Sequence, residues 1–125
     1  MLVSEQEILE LKELIFQLNT IENCIVIVEG KRDSNALRKI GYTGKVLEFH
    51  RFMGMINFTD SVAKFERLII LFDRDKKGRM LTRKTIQLLQ RRTKVDLTFK
   101  RKLRMITKGK IKFIEQLVSY ESYLA

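Results

Sequence analysis

Residues 68–78 read LIILFDRDKKG, and this stretch predicts both a central strand and a site at its end. The five apolar residues 68–72 follow one another without polar alternation, which is typical of a parallel strand covered on both faces. Asp73 and Asp75 come next, and the period of two in an extended chain puts them on one side, roughly 7 Å apart. Because ligands of open α/β sheets bind beyond the carboxyl ends of the strands, this pair predicts a metal site.

A second unit of strand, acid, glycine and helix lies earlier in the chain. Residues 24–28 read CIVIV and lead directly into Glu29 and Gly30. Gly30 allows a sharp turn, and Asp33 is predicted to cap a helix over residues 34–40. This pattern predicts a βα unit.

Three carboxylates are therefore expected at the ends of two buried strands. If the strands are neighbours, right-handed crossovers bring Glu29, Asp73 and Asp75 to the same edge of the sheet. Like charges so close repel one another, and a hard divalent cation such as Mg²⁺ or Mn²⁺ would relieve the repulsion. The alternative is that these residues are ordinary turn acids. A carboxylate without a partner at the end of a buried strand is, however, costly.

The remaining segments complete an alternating α/β order. The other predicted elements are a helix over 5–19, a strand over 46–49, a helix over 59–65 capped by Thr59, a basic helix from Gly78 to about 92, a strand over 94–97, a cationic helix over 98–105 and a packed helix from 113. Residues 50–58 are predicted to form a packed loop or lid beside the strand ends, with His50 as a loop or packing residue rather than a proton shuttle. We predict one domain over 1–125, with about four mainly parallel strands and helices on both faces.

Charge is distributed unevenly along the chain. The formal net charge is +10, and residues 74–112 hold 16 Lys and Arg against 2 Asp and Glu. A block of this kind favours a polyanionic partner, above all nucleic acid, with a solvated surface as the alternative. The single cysteine, Cys24, is expected in the core and fits a reducing compartment. No segment is long enough to span a membrane, so we expect no membrane partner and a cytoplasmic protein.

The stretches IVIVEGKRDSNAL and LIILFDRDKKGRML together resemble the Toprim domain of type IA and type II topoisomerases, bacterial-type primases, ribosomal-RNA maturation nucleases, OLD-family nucleases and RecR proteins. In that family one strand ends in E-G, often E-G-x-x-D, and a later strand ends in D-x-D, often followed by glycine. The matching residues here are Glu29, Gly30 and Asp33 in the first motif, and Asp73, Asp75 and Gly78 in the second. The resemblance covers residues 24–97, between the helix over 5–19 and a basic helical part over 98–125, and the chain is similar in size to small stand-alone Toprim proteins of archaea.

The resemblance implies roles for these residues. Asp73 and Asp75 would bind one or two Mg²⁺ ions, with Mn²⁺ as a substitute, and Glu29 would join the metal or act as general acid or base. Gly30, Asp33 and Gly78 would shape the turns. The basic residues expected to contact nucleic acid or phosphate are Lys31, Arg32, Arg74, Lys76, Lys77, Arg79 and Arg83.

The function that we expect is a Mg²⁺-dependent nuclease or a related phosphoryl transferase acting on RNA or DNA. The alternatives are a non-catalytic nucleic-acid-binding module, as in RecR, and a subunit that works only in a larger protein complex. A chain of 125 residues has no room for a tyrosine nucleophile module of the topoisomerase kind, so strand cutting and rejoining is not expected. Haloacid-dehalogenase phosphatases also have D-x-D after a strand, but there Gly and Thr stand where this chain has Lys76 and Lys77.

Overall fold

Four strands form a single parallel sheet in the computed structural model, which describes residues 2–124. They are β1 (Cys24–Val28), β2 (Val46–Glu48), β3 (Arg67–Ile70) and β4 (Lys94–Asp96). Their order across the sheet is β2-β1-β3-β4, and every neighbouring pair is parallel. The predicted α/β class with a parallel sheet is confirmed, and the two acid-terminated strands are the inner pair.

The register between β1 and β3 brings their carboxyl ends together. Ile27 pairs with Ile70, and the Leu71 backbone N–H donates to the Ile27 carbonyl at 2.9 Å. Regular pairing ends at Ile70, earlier than predicted, although Leu71 and Phe72 stay buried. Strands β1 and β3 therefore lead into their first acidic residues at the same edge of the sheet.

Helices cover both faces of the sheet, as predicted. They are α1 (Glu5–Thr20), α2 (Lys31–Lys39), α3 (Met55–Val62), α4 (Lys76–Leu89), α5 (Thr98–Ile106) and α6 (Glu121–Leu124), with 3₁₀ helices at Phe49–Arg51 and Ile114–Tyr120. Alternate residues of the inner strands enter two separate cores, one against α1, α2, α5 and the second 3₁₀ helix, the other against α3 and α4. Between residues 2 and 124, the structure has no helix long and apolar enough to span a bilayer.

The predicted start of the second helix was wrong. Helix α2 begins at Lys31, and Gly30, in an extended conformation, is its N-cap. Asp33 lies in the first turn, where its Oδ2 accepts the Gly30 backbone N–H at 3.1 Å. Asp33 therefore ties the glycine turn to the helix from inside the helix, as the acidic member of a capping box does.

The prediction of a loop over 50–58 followed by a helix over 59–65 was also wrong. Helix α3 spans Met55–Val62, and Thr59 lies within it with its hydroxyl donating to the Ile56 carbonyl at 3.1 Å. Phe58 and Val62, one helical turn apart, are both fully buried. Their burial stabilises a helix across a stretch that shows no clear periodicity in its sequence.

The C-terminal segment differs from the predicted helix in its geometry. Ile114, Leu117 and Tyr120 are buried at a spacing of three residues, which matches the three residues per turn of the observed 3₁₀ helix. The apolar sequence of this segment and of α4 also predicts that Val118 and Leu88 pack inward, but the structure leaves them 38% and 39% exposed. Residue 125, at the end of the predicted tail, lies outside the described residues.

A buried ion pair fastens this segment to the first helix. Glu7 is 2% exposed, accepts a hydrogen bond from the Tyr120 hydroxyl and lies 2.9 Å from Lys110 Nζ. We expect Lys110→Met to lower the free energy of unfolding by about 2–3 kcal/mol, because it leaves a buried carboxylate without its cation. Urea unfolding measures the loss. The exposed Lys112→Met is the control, and an equal effect of both substitutions would contradict this account.

Candidate metal and nucleic-acid site

Glu29 and Asp73 meet at the carboxyl edge of the two inner strands. The Asp73 backbone N–H donates to Glu29 Oε2 at 2.9 Å, and Glu29 is only 5% exposed. Asp73 Oδ1 in turn accepts the Ile114 backbone N–H at 2.8 Å. The structure thus brings together two of the three acids that the sequence singled out, in a partly buried pair.

Asp75 has a different position. Its Oδ1 accepts the Gly78 backbone N–H at 2.8 Å, so Asp75 is the N-cap of α4. The helix accordingly begins at Lys76, earlier than predicted. The carboxylate of Asp75 is still close enough for its negative charge to act on both Glu29 and Asp73.

Gly78 lies in the first turn of α4, at a position that has no room for a side chain. A Cβ atom at this position would lie 1.9 Å from the Asp73 carbonyl oxygen. The sequence predicted a turn residue here, whereas the structure shows a close approach between the helix and the backbone of the Asp73 segment. Gly78 therefore allows the second acidic motif to fold back tightly on its own helix.

Burial and mutual repulsion alter the acidity of this cluster. Burial, together with the charges of Asp73 and Asp75, raises the pKa of Glu29 to about 7, although the Asp73 N–H opposes the shift. Burial also raises the pKa of Asp73, and burial with the charge of Asp73 raises the pKa of Asp33 to about 6. A cluster of this kind lacks positive charge, and a bound cation would supply it.

The donor set fits a hard divalent cation. The backbone hydrogen bonds described above engage one oxygen of each of Glu29, Asp73 and Asp75, and Glu29 and Asp73 also share a side-chain hydrogen bond, whose proton a cation could replace. Carboxylate oxygens are the ligands that Mg²⁺ and Mn²⁺ prefer. Within residues 2–124, no group of three or more His, Cys, Asp or Glu side chains is arranged to hold a metal ion by itself. The chemistry therefore fits an open site, completed by water and substrate oxygens.

The C-terminal segment reaches this edge of the sheet, which the sequence did not predict. The Arg74 backbone N–H donates to the Lys112 carbonyl at 2.8 Å, and its guanidinium donates to the carbonyls of Ile111 at 3.0 Å and Gly109 at 2.8 Å. Arg74, predicted to contact phosphate, thus also braces the segment that hydrogen-bonds Asp73. The packed helix predicted from residue 113 indicated burial of this segment but not against which element.

His50 lies beside Glu29. Its backbone N–H donates to the Glu29 carbonyl at 2.9 Å, and a Cβ at Gly30 would lie 3.1 Å from its Nδ1. Its Nε2 is 3.2 Å from Lys77 Nζ, in the first turn of α4. The 3₁₀ helix Phe49–Arg51 therefore places the His50 imidazole against the Lys77 ammonium group of α4, next to Glu29.

The predicted phosphate contacts divide into two groups. Lys31 and Arg32 are exposed at the start of α2, with Arg32 3.9 Å from Glu115, and Lys76 and Lys77 are exposed at the start of α4. Arg74 and Arg79 instead line a groove of about 360 Å³ between α4 and α5, and Arg83 lines an adjoining one. The groove also contains three basic residues that were not among the predicted phosphate contacts, namely Lys100, Arg101 and Arg104. Their place in a basic block was the available signal.

Comparison with known proteins identifies the family of this chain. The Toprim domain family matches residues 23–99. The UPF0292 protein of Thermococcus sibiricus is 36% identical over 115 residues, which cover 91% of this chain and 88% of that protein. The UPF0292 protein of Methanosarcina acetivorans is 33% identical over 118 residues, covering 91% of this chain and 81% of that protein.

A solved structure shows the same fold. A protein from Aquifex aeolicus superposes with a TM-score of 0.66 at 29% identity, over 83% of this chain and 94% of that one. These similarities confirm the resemblance that the two acidic motifs indicated. The chain belongs to the Toprim domain family, a membership that indicates a metal-binding, nucleic-acid-related role.

Proposed function

We propose that the chain is a Mg²⁺-dependent nuclease that cleaves phosphodiester bonds of RNA or DNA. The observation that carries this proposal is the partly buried Glu29 and Asp73 pair at the edge of the two inner strands, next to a groove lined with basic side chains. Acids held this close without a cation are costly for the fold, which supports a functional reason for their position.

Each part of the site has a role in the proposed reaction. Asp73 and Asp75 would hold Mg²⁺, or Mn²⁺ as a substitute, beside Glu29. When bound, the ion would supply positive charge next to the phosphoryl group, where negative charge builds up during cleavage. Glu29, whose pKa burial raises to about 7 before an ion binds, could exchange a proton with the attacking or leaving oxygen. Lys76 and Lys77 neutralise an adjacent phosphate.

A second candidate function is a non-catalytic nucleic-acid-binding module, alone or in a larger protein complex. It is favoured by the hydrogen bonds that Asp73 and Asp75 make to backbone N–H groups, since these give both acids a role in the fold without any metal. In either case the single cysteine, Cys24, fits the cytoplasm, where we place the protein.

Cleavage assays separate the two functions. We expect the chain to cut members of a panel of labelled RNA and DNA substrates with Mg²⁺ and not with EDTA. Asp73→Asn should slow cleavage by about a hundredfold or more, because the amide keeps the shape of the side chain but loses its charge. Asp60→Asn, at an exposed position on α3, is the matched control. Binding without any product, unaffected by Asp73→Asn, would favour the non-catalytic module instead.

A further inference from the structure

The groove between α4 and α5 is longer than a single pocket. Two cavities of about 360 Å³ and 270 Å³ adjoin each other, since Arg79, Thr82 and Lys100 line both, and together they are called the groove. It follows α4 from Arg79 to Gln87, a rise of about 12 Å at 1.5 Å per residue. Its other end is at Arg74, next to Asp73 in the chain.

The walls of this groove carry charge of one sign. The basic side chains that line it are Arg74, Arg79, Arg83, Lys100, Arg101 and Arg104. None of the described residues that line it is acidic. Cations gathered along a groove repel one another, and a bound polyanion would relieve that repulsion.

Two of the arginines are held in place. Arg79 donates from its guanidinium to the Arg74 carbonyl at 2.8 Å, and the Arg74 guanidinium is fixed by the two carbonyls of the C-terminal segment. Arginines held in this way lose less side-chain entropy when they bind a phosphate or stack on a base. The groove is thus partly preorganised for its ligand.

Lys100 connects the groove to the acidic pair. It is half-buried, and Thr82 Oγ1, at 3.4 Å, is a distant hydrogen-bond partner for its Nζ. Burial lowers the pKa of Lys100, while the negative charges of Glu29 and Asp73 act in the opposite direction. An ammonium group that is partly desolvated and weakly bonded gains more from a bound anion than an exposed lysine does.

We propose that this groove binds a single-stranded segment of nucleic acid, and that Lys100 contacts the phosphate nearest to the acidic pair. The groove lies where α4 and α5, which cover opposite faces of the sheet, come near each other, and Lys100 in its wall is half-buried, so the phosphates of a flexible single strand reach it more readily than those on the outside of a duplex. A length of about 12 Å accommodates only a few nucleotides of a single strand. Leu97 and the planes of the arginine side chains offer surfaces for bases. The inference deepens the proposed nuclease and rests on it only for the role of the bound phosphate in cleavage.

Binding measurements in EDTA test the groove separately from cleavage. The probe is a short labelled single strand of mixed sequence, compared with the same sequence as a blunt duplex. We expect Lys100→Met to weaken single-strand binding about tenfold at low salt and to reduce the slope of log K against log salt by about 0.7, the value for one lost phosphate contact. Lys102→Met is the matched control, since Lys102 lies two residues along α5 and lines a different cavity. It should change affinity less than about twofold.

A second pair of variants distinguishes a loss of binding from a loss of folding. Arg101→Gln and Arg104→Gln, both at exposed positions in the wall, should each weaken single-strand binding with unchanged thermal unfolding. Equal losses in Lys100→Met and Lys102→Met, or duplex binding as tight as single-strand binding, would overturn the inference. Equally tight binding of a polyglutamate peptide, lost in Lys100→Met, would assign the groove to an acidic protein partner instead. The binding measurements are made in EDTA, without a metal ion. Their outcome therefore does not depend on whether the chain has nuclease activity.

Discussion

Replacing Glu29 with glutamine is expected to raise the free energy of unfolding at pH 8 by about 1–3 kcal/mol, and also to stop Mg²⁺-dependent cleavage. The stabilisation follows from the buried position of Glu29 next to Asp73, where its charge is unfavourable. Glutamine keeps an oxygen that can accept the Asp73 N–H and replaces the other oxygen with an amide donor. A substitution that strengthens a fold while it removes activity is typical of a residue retained for function.

The dependence on pH has a definite sign. The pKa of Glu29 is about 7 in the folded chain against 4.5 in the unfolded one, so between these values the folded state holds a proton that the unfolded state has lost. The contribution of Glu29 to stability is therefore greatest below pH 4.5, falls as the pH rises to about 7, and is constant above it. Asp33 acts in the same direction between pH 3.8 and about 6.

Urea unfolding of both proteins from pH 4 to pH 8 measures this effect as a difference. The difference between variant and wild type should grow across the interval in which Glu29 titrates and vanish at its acid end. Glu13→Gln, at an exposed position on α1, should show no such growth. Added Mg²⁺ should stabilise the wild type at pH 8 more than the variant. A difference independent of pH would contradict the assignment of Glu29 as the strained acid.

Gly78→Ala is expected to lower the free energy of unfolding by about 3 kcal/mol or more, because its methyl group has no room. The new Cβ would lie 1.9 Å from the Asp73 carbonyl oxygen and 2.7 Å from its carbonyl carbon, and both are backbone atoms that cannot rotate away. The first turn of α4 must then separate from the strand end. Because Asp73 and Asp75 both lie in the displaced segment, metal-dependent activity should be lost as well.

Gly54→Ala provides the matched control for this substitution. Gly54 has φ of +97°, but a Cβ there would meet no atom within 4 Å, so its replacement isolates the cost of the backbone conformation. With ψ of −179°, Gly54 lies in a region of backbone space that only glycine adopts readily, and the cost there is about 1–3 kcal/mol. Thermal and urea unfolding of both variants, with circular dichroism to confirm helix content, measures the two effects. Equal losses at the two glycines would show that the close contact with Asp73 is of no consequence.

Much of the fold could be predicted because the informative signals are local. The apolar runs that end at Glu29 and Asp73 predicted two buried parallel strands, and the structure confirms them as the inner pair of the sheet. The segments predicted wrongly are those in which local pattern and final environment disagree. Helix α3 forms because Phe58 and Val62 are buried, and the C-terminal segment follows a spacing of three that a search for α-helical periodicity does not detect.

The residue pattern alone was enough to establish the α/β class, the family and the acids at the strand ends, since each depends on neighbours within a few positions along the chain. Tertiary structure alone decided that Asp73 hydrogen-bonds Ile114, that Asp75 caps a helix and that Lys100 lines the groove within reach of the charges of Glu29 and Asp73. The contacts of Asp73 and Lys100 join residues far apart in sequence, and they form only when helices packed on the sheet bring the later segments back to its carboxyl edge. The hydrogen bond by which Asp75 caps α4 is local. The D-x-D pattern alone does not show whether Asp73 or Asp75 forms it, because the choice depends on how closely Gly78 approaches the Asp73 backbone.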